Sequence, residues 1–171
     1  MFFNMDSVNT PIERGRVSRP KVCFWLDAAG VVLFLTGIVY FAFMYNTFPE
    51  EVPVHFSMNG EVNEYGNKAA IWLLLAIAFV LWVFMSLLER VPHIHNYPRK
   101  IHSGNIHAQY RNSILLLNTT KNYMLVMFIG LNASFVVNIN GSEPPHLLIM
   151  SLIAGIFAVM LPFLIRAFRL S

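Results

Sequence analysis

Residues 48–68 read FPEEVPVHFSMNGEVNEYGNK and form a polar, turn-rich stretch between two long apolar runs. Pro49 and Pro53 lack a backbone donor and disfavour helix, so the first apolar run has to end before them. Asn59-Gly60 offers the positive φ angles of a tight turn, and the residues before it are extended in character. The stretch therefore predicts a short hairpin-like loop between two helices.

The composition of the whole chain indicates a membrane protein. Its 171 residues are 56% hydrophobic and 12% charged, whereas soluble domains have about 45–50% apolar and about 25% charged residues. The mean hydropathy is +0.55. The single cysteine, Cys23, excludes an intramolecular disulfide. Basic residues are spread over several segments without a nucleic-acid-binding motif, so we expect no nucleic acid partner. We also expect no cofactor.

Four apolar runs are long enough to cross a bilayer, which needs about 20 helical residues. Residues 22–45 form the first run, and residues 69–88, which Asn67 is expected to N-cap, form the second. Residues 123–139 form the shortest run and residues 147–165 the last. Lipid offers no partner to exposed non-helical backbone. The expected fold class is therefore an all-α membrane protein with four transmembrane helices.

Lysine and arginine are distributed unevenly between the predicted connections. With four crossings, the 1–21 arm, the 89–122 connection and the 166–171 tail share one side, and the other side has only Lys68. The positive-inside rule then places both termini in the cytoplasm of a cell with this protein in its plasma or inner membrane. The external connections are residues 46–68 and 140–146.

The cytoplasmic connection contains a helical pattern before the third span. Ile106, Tyr110, Ile114 and Leu117 follow one another at spacings of four, four and three residues, which places them on one helix face. An amphipathic helix that lies in the cytoplasmic interface and leads into the third span fits this pattern.

The order and spacing of residues in the external loop resemble the signature of the DUF1648 family of small bacterial membrane proteins. The matching residues are Pro49, Pro53, His55, Phe56, Gly60, Tyr65 and Lys68, and these together with Asn63 are the candidate ligand contacts. Asn63 stands where the family usually has aspartate, and Tyr65 where tryptophan is common. The same module opens SdpI-like immunity proteins, so the resemblance implies a place in the membrane without defining an activity.

A second, weaker resemblance to some DUF1648 proteins lies in the cytoplasmic connection. It consists of Asn96-Tyr97-Pro98 followed by Gln109-Tyr110-Arg111. The candidate residues in this connection are Asn96, Tyr97, Pro98, Asn105, Gln109 and Tyr110.

Histidines in both kinds of loop are candidates for binding or sensing, because histidine titrates near physiological pH. His55 lies among four external glutamates, where it can bind a metal, sense pH or contact a peptide ligand. Alternatively, it only helps to fold the hairpin while the glutamates are solvated. The cytoplasmic histidines could form a zinc site, but their separations match no standard motif, and half-polar interfacial rings are the alternative. These residues are His93, His95, His102 and His107.

Asp27 is the acidic residue placed inside a predicted span. Ionisable residues at membrane depth are costly and often functional, for example as proton relays. Asp27 also lies close to the cytoplasmic boundary, where it can reach water or pair with Lys21 or Arg90. Both a relay and an interfacial ion pair are compatible with its position.

Polar and small residues in the last two spans indicate helix packing. Hydrogen bonds to neighbouring helices are expected from Asn132, Ser134 and Asn138. Close approach of helix backbones, within the bundle or in a homo-oligomer, is expected at Ser151, Ala154, Gly155 and Ala158.

A small receptor or accessory protein is the function that these patterns favour. Its external loop would recognise a peptide or envelope ligand, in a role such as SdpI-like immunity or signalling. The alternative is a small transporter or channel subunit, for which Asn132 and Ser134 are the candidate pathway residues. An enzyme is not expected, because the sequence has no His-Glu-x-x-His, Gly-x-Ser-x-Gly or P-loop motif.

Overall fold

Four long helices dominate the computed structural model, which describes residues 17–57, 62–139 and 146–170. The helices are α1 (Lys21–Met44), α2 (Ala70–Leu88), α3 (Ile106–Ile139) and α4 (His146–Arg169). Each of them contains a segment long and apolar enough to cross a membrane. The connections contain β1 (Glu51–Phe56), β2 (Val62–Asn67) and two single turns of 3-10 helix, Tyr45–Thr47 and Pro92–Ile94. The predicted four-helix membrane fold is confirmed.

The central element of the bundle is α3, since α1, α2 and α4 each pack against it. Its 34 residues give it a length of about 51 Å at 1.5 Å per residue, whereas the hydrocarbon core of a bilayer is about 30 Å thick. Most of the buried polar side chains belong to this helix: Gln109, Asn112, Asn118, Thr120, Lys121, Asn122, Asn132 and Ser134. The polar side of α3 is thus directed into the protein.

The first part of α3 differs from the sequence expectation. The sequence predicts a separate interfacial helix followed by a third span, but residues 106–139 form one continuous helix. Ile106, Tyr110 and Ile114 are buried, as their spacing predicts. Gln109 and Asn112 are buried as well, because α4 covers them, whereas His107 and Arg111 are exposed. This segment is therefore the first part of α3 and packs against α4.

An apolar core fills the half of the bundle that carries the hairpin. Its buried members are Phe34, Phe41, Phe48, Ile71, Leu75, Ala78 and Leu125. Two glycines allow α1 to approach α3 closely: a Cβ at Gly37 would lie 3.2 Å from the Ile129 side chain, and one at Gly30 would overlap the amide of Asn122. Close packing of this kind stabilises helix association in a membrane, because lipid acyl chains are as apolar as the helix surface and supply no hydrophobic driving force.

The loop after α1 is an antiparallel hairpin. Glu51 lies opposite Asn67 and Phe56 opposite Val62, with an irregularity on each side of His55. Phe48 and Val52 are buried at its base, and β1 contacts α3. The hairpin is therefore packed onto the ends of the helices. The turn expected at Asn59-Gly60 lies outside the described residues.

The start of α2 lies later than the sequence predicts. Asn67 is expected as the N-cap, but the helix begins at Ala70 with Ala69 as its cap residue. The side-chain oxygen of Asn67 accepts a hydrogen bond of 2.8 Å from the backbone N–H of Ala69. Asn67 therefore closes the turn that leads into the helix.

Candidate functional site

Lys68, the last residue of the hairpin signature, ties the hairpin to the end of α1. Its Nζ lies 2.9 Å from Glu50 Oε1 and 5.0 Å from the centre of the Tyr45 ring. Its backbone N–H donates to the carbonyl of Glu50 at 2.9 Å. Of the other signature residues, Pro53 is buried and Pro49 is exposed. The contacts of the Lys68 side chain thus stabilise the position of the hairpin against the end of α1.

The middle of the hairpin presents side chains to the surroundings. The His55 and Glu64 side chains are 75% and 67% exposed, with Nδ1 and Oε2 3.5 Å apart. Tyr65 is 59% exposed, and Asn63 is exposed too. In the described ranges no group of three or more histidine, cysteine, aspartate or glutamate side chains is arranged to hold a metal ion. The Phe56 side chain and Gly60 lie outside the described part of the structure.

The two halves of the weaker sequence pattern come together at the opposite end of the bundle. The rings of Tyr97 and Tyr110 stack with their centres 5.7 Å apart. Tyr97 also donates its hydroxyl to the carbonyl of Pro92 at 2.7 Å. Burial raises the pKa of Tyr97, which keeps this hydroxyl protonated as a donor. Asn96 and Pro98, on either side, are exposed.

Asn105 and Gln109 complete this pattern with backbone contacts. Asn105 accepts a hydrogen bond from the N–H of His102 and donates to the carbonyl of Lys100. Gln109 donates to the carbonyls of Ala167 at 2.9 Å and Leu170 at 2.8 Å. These carbonyls are left free at the end of α4, where helical partners run out. The pattern therefore folds the loop onto α3 and fastens the end of α4.

His95 is held between α2 and α3 rather than in a histidine cluster. Its Nδ1 lies 2.5 Å from Ser113 Oγ and its Nε2 3.0 Å from the carbonyl of Leu88. Burial lowers the pKa of His95, although the contact with Leu88 opposes this effect. His102 instead accepts a hydrogen bond from the N–H of Gly104. His95 and His102 thus contact different parts of this connection.

A cluster of four charged side chains lies inside the same end of the bundle. We call Arg19, Asp27, Glu89 and Lys121 the charged cluster, and the end that contains it the basic end. Lys121 Nζ lies 2.7 Å from Glu89 Oε1 and 3.2 Å from Asp27 Oδ1. It also donates to Ser86 Oγ at 2.7 Å. The cluster therefore joins α1, α2 and α3 through one lysine.

Arg19 closes the charged cluster from the side of the N-terminal arm. Its Nε donates to Glu89 Oε2 at 2.9 Å, and its Nη2 contacts Glu89 and Asp27. Burial alone would lower the pKa of Arg19, but the hydrogen bonds to Asp27 and Glu89 outweigh it and raise the pKa. Two positive and two negative charges thus compensate one another, which lowers the free-energy cost of burying them.

Two asparagines of α3 satisfy the remaining acceptors of Asp27. Asn118 and Asn122 donate to Asp27 Oδ1 at 2.7 Å and 2.8 Å. The amide oxygen of Asn122 in turn accepts from the indole N–H of Trp82 at 3.1 Å. Lys121 Nζ lies 4.6 Å from the centre of the Trp82 ring. Trp82 therefore packs against the charged cluster.

The sequence expectation for the partners of Asp27 is wrong. Asp27 is expected to pair with Lys21 or Arg90, but the structure pairs it with Arg19 and Lys121. The signal that could have revealed this site is the spacing of Asn118, Lys121 and Asn122. Residues three and four apart share one face of a helix, and a polar face on a helix that also carries a membrane span has to be covered.

A cavity of about 960 Å³ opens beside the charged cluster. We call it the basic-end cavity. Besides the four cluster residues, its wall includes Arg90, His93 and Trp82. Asn132, the candidate for a transport pathway, does not line this cavity or either of the two smaller ones described with it. The cavity is the largest of the three.

The fold and these contacts define a multi-pass membrane protein with a hairpin at one end and a charge-compensated cluster at the other. Residues 32–79 match the family model described as "Domain of unknown function (DUF1648)". Residues 32–79 of the chain are therefore a DUF1648 domain. The match covers the later part of α1, the hairpin and the first half of α2, and the charged cluster lies outside it. Comparisons with curated proteins and with solved structures found no match.

Proposed function

We propose that the chain is a receptor or accessory protein of the cell membrane that binds a ligand at its hairpin end. A peptide or an envelope component outside the cytoplasm is the proposed ligand, and the role is one of binding, not of catalysis. Both termini are cytoplasmic in this arrangement. The basic residues support it, because Arg90, Arg99 and Arg166 belong to the basic end, whereas Lys68 is the basic residue described at the hairpin end.

The observation that carries this proposal is the contrast within the hairpin. Phe48 and Val52 are buried at its base, so its position is fixed. His55, Glu64 and Tyr65 are exposed in its middle. An aromatic ring, an imidazole and a carboxylate on a fixed support form a surface suited to contacting a polar partner such as a peptide.

A photoreactive residue introduced at position 55 in living cells tests the proposal. The expected result is a discrete cross-linked partner, lost when Tyr65→Ala and Glu64→Gln are introduced together. The same photoreactive residue at position 96, an exposed site at the other end, is the matched control and should not give this product. Lipid and nonspecific neighbours alone at position 55 would contradict the receptor proposal.

A transporter is the second candidate, and the charged cluster favours it. Ionisable groups at membrane depth often mark ion or substrate pathways, and the basic-end cavity reaches Lys121 and Asp27. Asn132 is a weaker candidate for a transport pathway than the charged cluster. Its side chain is buried, and neither of its polar atoms has a hydrogen-bond partner within the described part of the chain. A transport path would therefore pass through the cluster.

Flux into proteoliposomes distinguishes the two candidates. If the chain transports ions or solutes through the cluster, Lys121→Met should abolish the flux, while Asn132→Leu should leave it unchanged. No flux above that of empty vesicles with the native chain would remove this candidate and leave the receptor.

A homo-oligomer through α4 also belongs to the proposal. Ser151, Ala154 and Ala158 are exposed and available to a second copy. Gly155 is not, because the Tyr123 hydroxyl of α3 occupies the space that a Cβ would need there. Cross-linking between cysteines introduced at position 154 would test the contact.

A further inference from the structure

A cleft runs between α1 and α2 along the side of α3. Within the membrane-spanning part its wall is formed by Phe34 and Leu35 from α1, Leu75 and Phe79 from α2, and Leu125 from α3, around a volume of about 430 Å³. We call this part the apolar groove. Its lining residues are apolar apart from the indole N–H groups of two tryptophans, so it has the chemistry of a site for a hydrocarbon chain.

The apolar groove and the basic-end cavity share one wall residue, Trp82. The indole is fixed there by its hydrogen bond to Asn122 and by Lys121 over its ring. Trp82 therefore borders both the apolar groove and the charged basic-end cavity. The order of these surfaces along the cleft matches the order of the parts of a membrane lipid.

The charged part of the cleft carries an excess of positive charge. Arg19, Lys121, Asp27 and Glu89 compensate one another. Arg90 also lines the cavity and is exposed. Its backbone N–H donates to the carbonyl of Leu87, but its side chain forms no hydrogen bond or ion pair among the residues that the structure covers. It follows directly after Glu89 at the end of α2, where a span meets the membrane surface. Arginine binds phosphate groups through its planar fork of donors.

From these observations we propose that the cleft between α1 and α2 binds an anionic phospholipid. Its phosphate lies at Arg90 and the free edge of Arg19, and one acyl chain lies against Phe34, Leu75 and Phe79. Basic pockets between helices at a membrane surface are suited to anionic head groups. A soluble phosphate compound would occupy the cavity alone and leave the apolar groove unexplained, so the two surfaces together favour a lipid.

Tryptophan fluorescence provides the test, because Trp72 and Trp82 both line the apolar groove while Trp25 is 69% exposed. The full chain with Trp25→Phe, purified in detergent, is titrated with phosphatidylglycerol or phosphatidylcholine carrying brominated acyl chains, which quench nearby indoles. We expect phosphatidylglycerol to quench at lower concentration. Equal quenching by the two lipids would overturn the proposal.

Two pairs of variants examine the two parts of the site separately. Arg90→Gln should weaken phosphatidylglycerol quenching about fivefold, whereas Arg166→Gln, an exposed arginine of α4, should not. Ala76→Phe fills the groove and should reduce quenching, whereas Ala154→Phe on the exposed side of α4 should not. Equal effects within either pair would overturn the proposal.

Soluble glycerol 3-phosphate distinguishes a lipid from a free phosphate ligand. At 100-fold excess over the lipid it should leave the quenching unchanged. If it displaces the lipid completely, the site is one for a soluble phosphate compound and the proposal fails. Circular dichroism of each variant confirms that the helices are intact before the quenching is compared.

Discussion

Lys121 of α3 and Glu89 of α2 form an ion pair with Nζ and Oε1 2.7 Å apart and side-chain exposures of 0% and 2%. Both side chains are almost completely buried, so each charge depends on the other and on the remaining members of the charged cluster. Breaking such a pair on one side leaves an uncompensated charge in a medium of low polarity. The pair thus fixes how α2 and α3 are set against each other.

We predict that Lys121→Met and Glu89→Gln each lower the free energy of unfolding by about 3–5 kcal/mol, the range for removing one partner of a buried pair. The double variant should lose less than the sum of the two, because no charge is then left without its partner. Unfolding of the purified chain in mixed micelles, titrated with denaturing detergent, measures these differences.

Arg111→Met is the control for this series. Arg111 is exposed on the same helix, so its removal should change the free energy of unfolding by less than about 0.5 kcal/mol. Additive effects of Lys121→Met and Glu89→Gln would show that the pair does not act as a unit.

The glycines of α1 supply a second prediction. Gly30→Ala should destabilise the bundle by about 1–3 kcal/mol, because the new methyl group would overlap the Asn122 amide, which also holds Asp27 and Trp82. Gly37→Ala meets only the side chain of Ile129 at 3.2 Å, and its gain of about 1 kcal/mol in helix propensity offsets the strain. The midpoints of thermal unfolding, measured by circular dichroism, should be similar for the native chain and Gly37→Ala and lower for Gly30→Ala.

The loop that contains His95 should loosen in acid. Burial lowers the pKa of His95 in the folded chain, so the folded state binds fewer protons than the unfolded one below the ordinary histidine pKa of about 6.5. Stability from this group is therefore complete above about pH 6.5 and is lost as the pH falls towards the lowered value. After correction for the intrinsic pH dependence of exchange, hydrogen exchange of the amides around His95 should accelerate over this interval.

A variant separates this histidine from the others in the loop. His95→Gln should remove the acid-dependent acceleration, whereas His93→Gln, which changes an exposed residue, should retain most of it. An unchanged pH profile in His95→Gln would assign the effect to another group.

The proposed orientation is tested by cysteine labelling in intact cells. In a Cys23→Ala background, Glu64→Cys should react with a membrane-impermeant maleimide, because Glu64 is exposed on the hairpin. Asn96→Cys, equally exposed at the basic end, should react only after the cells are opened. The opposite result would reverse the topology.

Much of the fold can be predicted from the sequence because its signals are local. The apolar runs that become α1, α2 and α4 are recognised by length and composition, and the prolines of residues 48–68 separate the first two. The hairpin follows from its turn chemistry. The match at residues 32–79 supports the family signature read from the same loop.

The sequence spacing can indicate the polar face of α3, but the ion-pair partners within the charged cluster cannot be predicted from it, because they depend on contacts between distant parts of the chain. Asp27 and Lys121 are separated by 94 residues. From the sequence, Lys121 is predicted to be one of several basic residues in a cytoplasmic connection. The continuous α3 cannot be predicted for the same reason, because Asn118 and Asn122 have the polarity of solvent-facing residues and are buried only once α1 and α2 cover them. Their roles become visible only when three helices are placed together.

The position of Lys121 on the third helix has a consequence for how the protein is made. Ribosomes synthesise α1 and α2 first, so Asp27 and Glu89 enter the membrane before their lysine exists. Until α3 is inserted, Arg19 is the cluster's one cation available to both carboxylates. The first two helices are therefore an incomplete unit during biogenesis, and the bundle can close only when the third arrives.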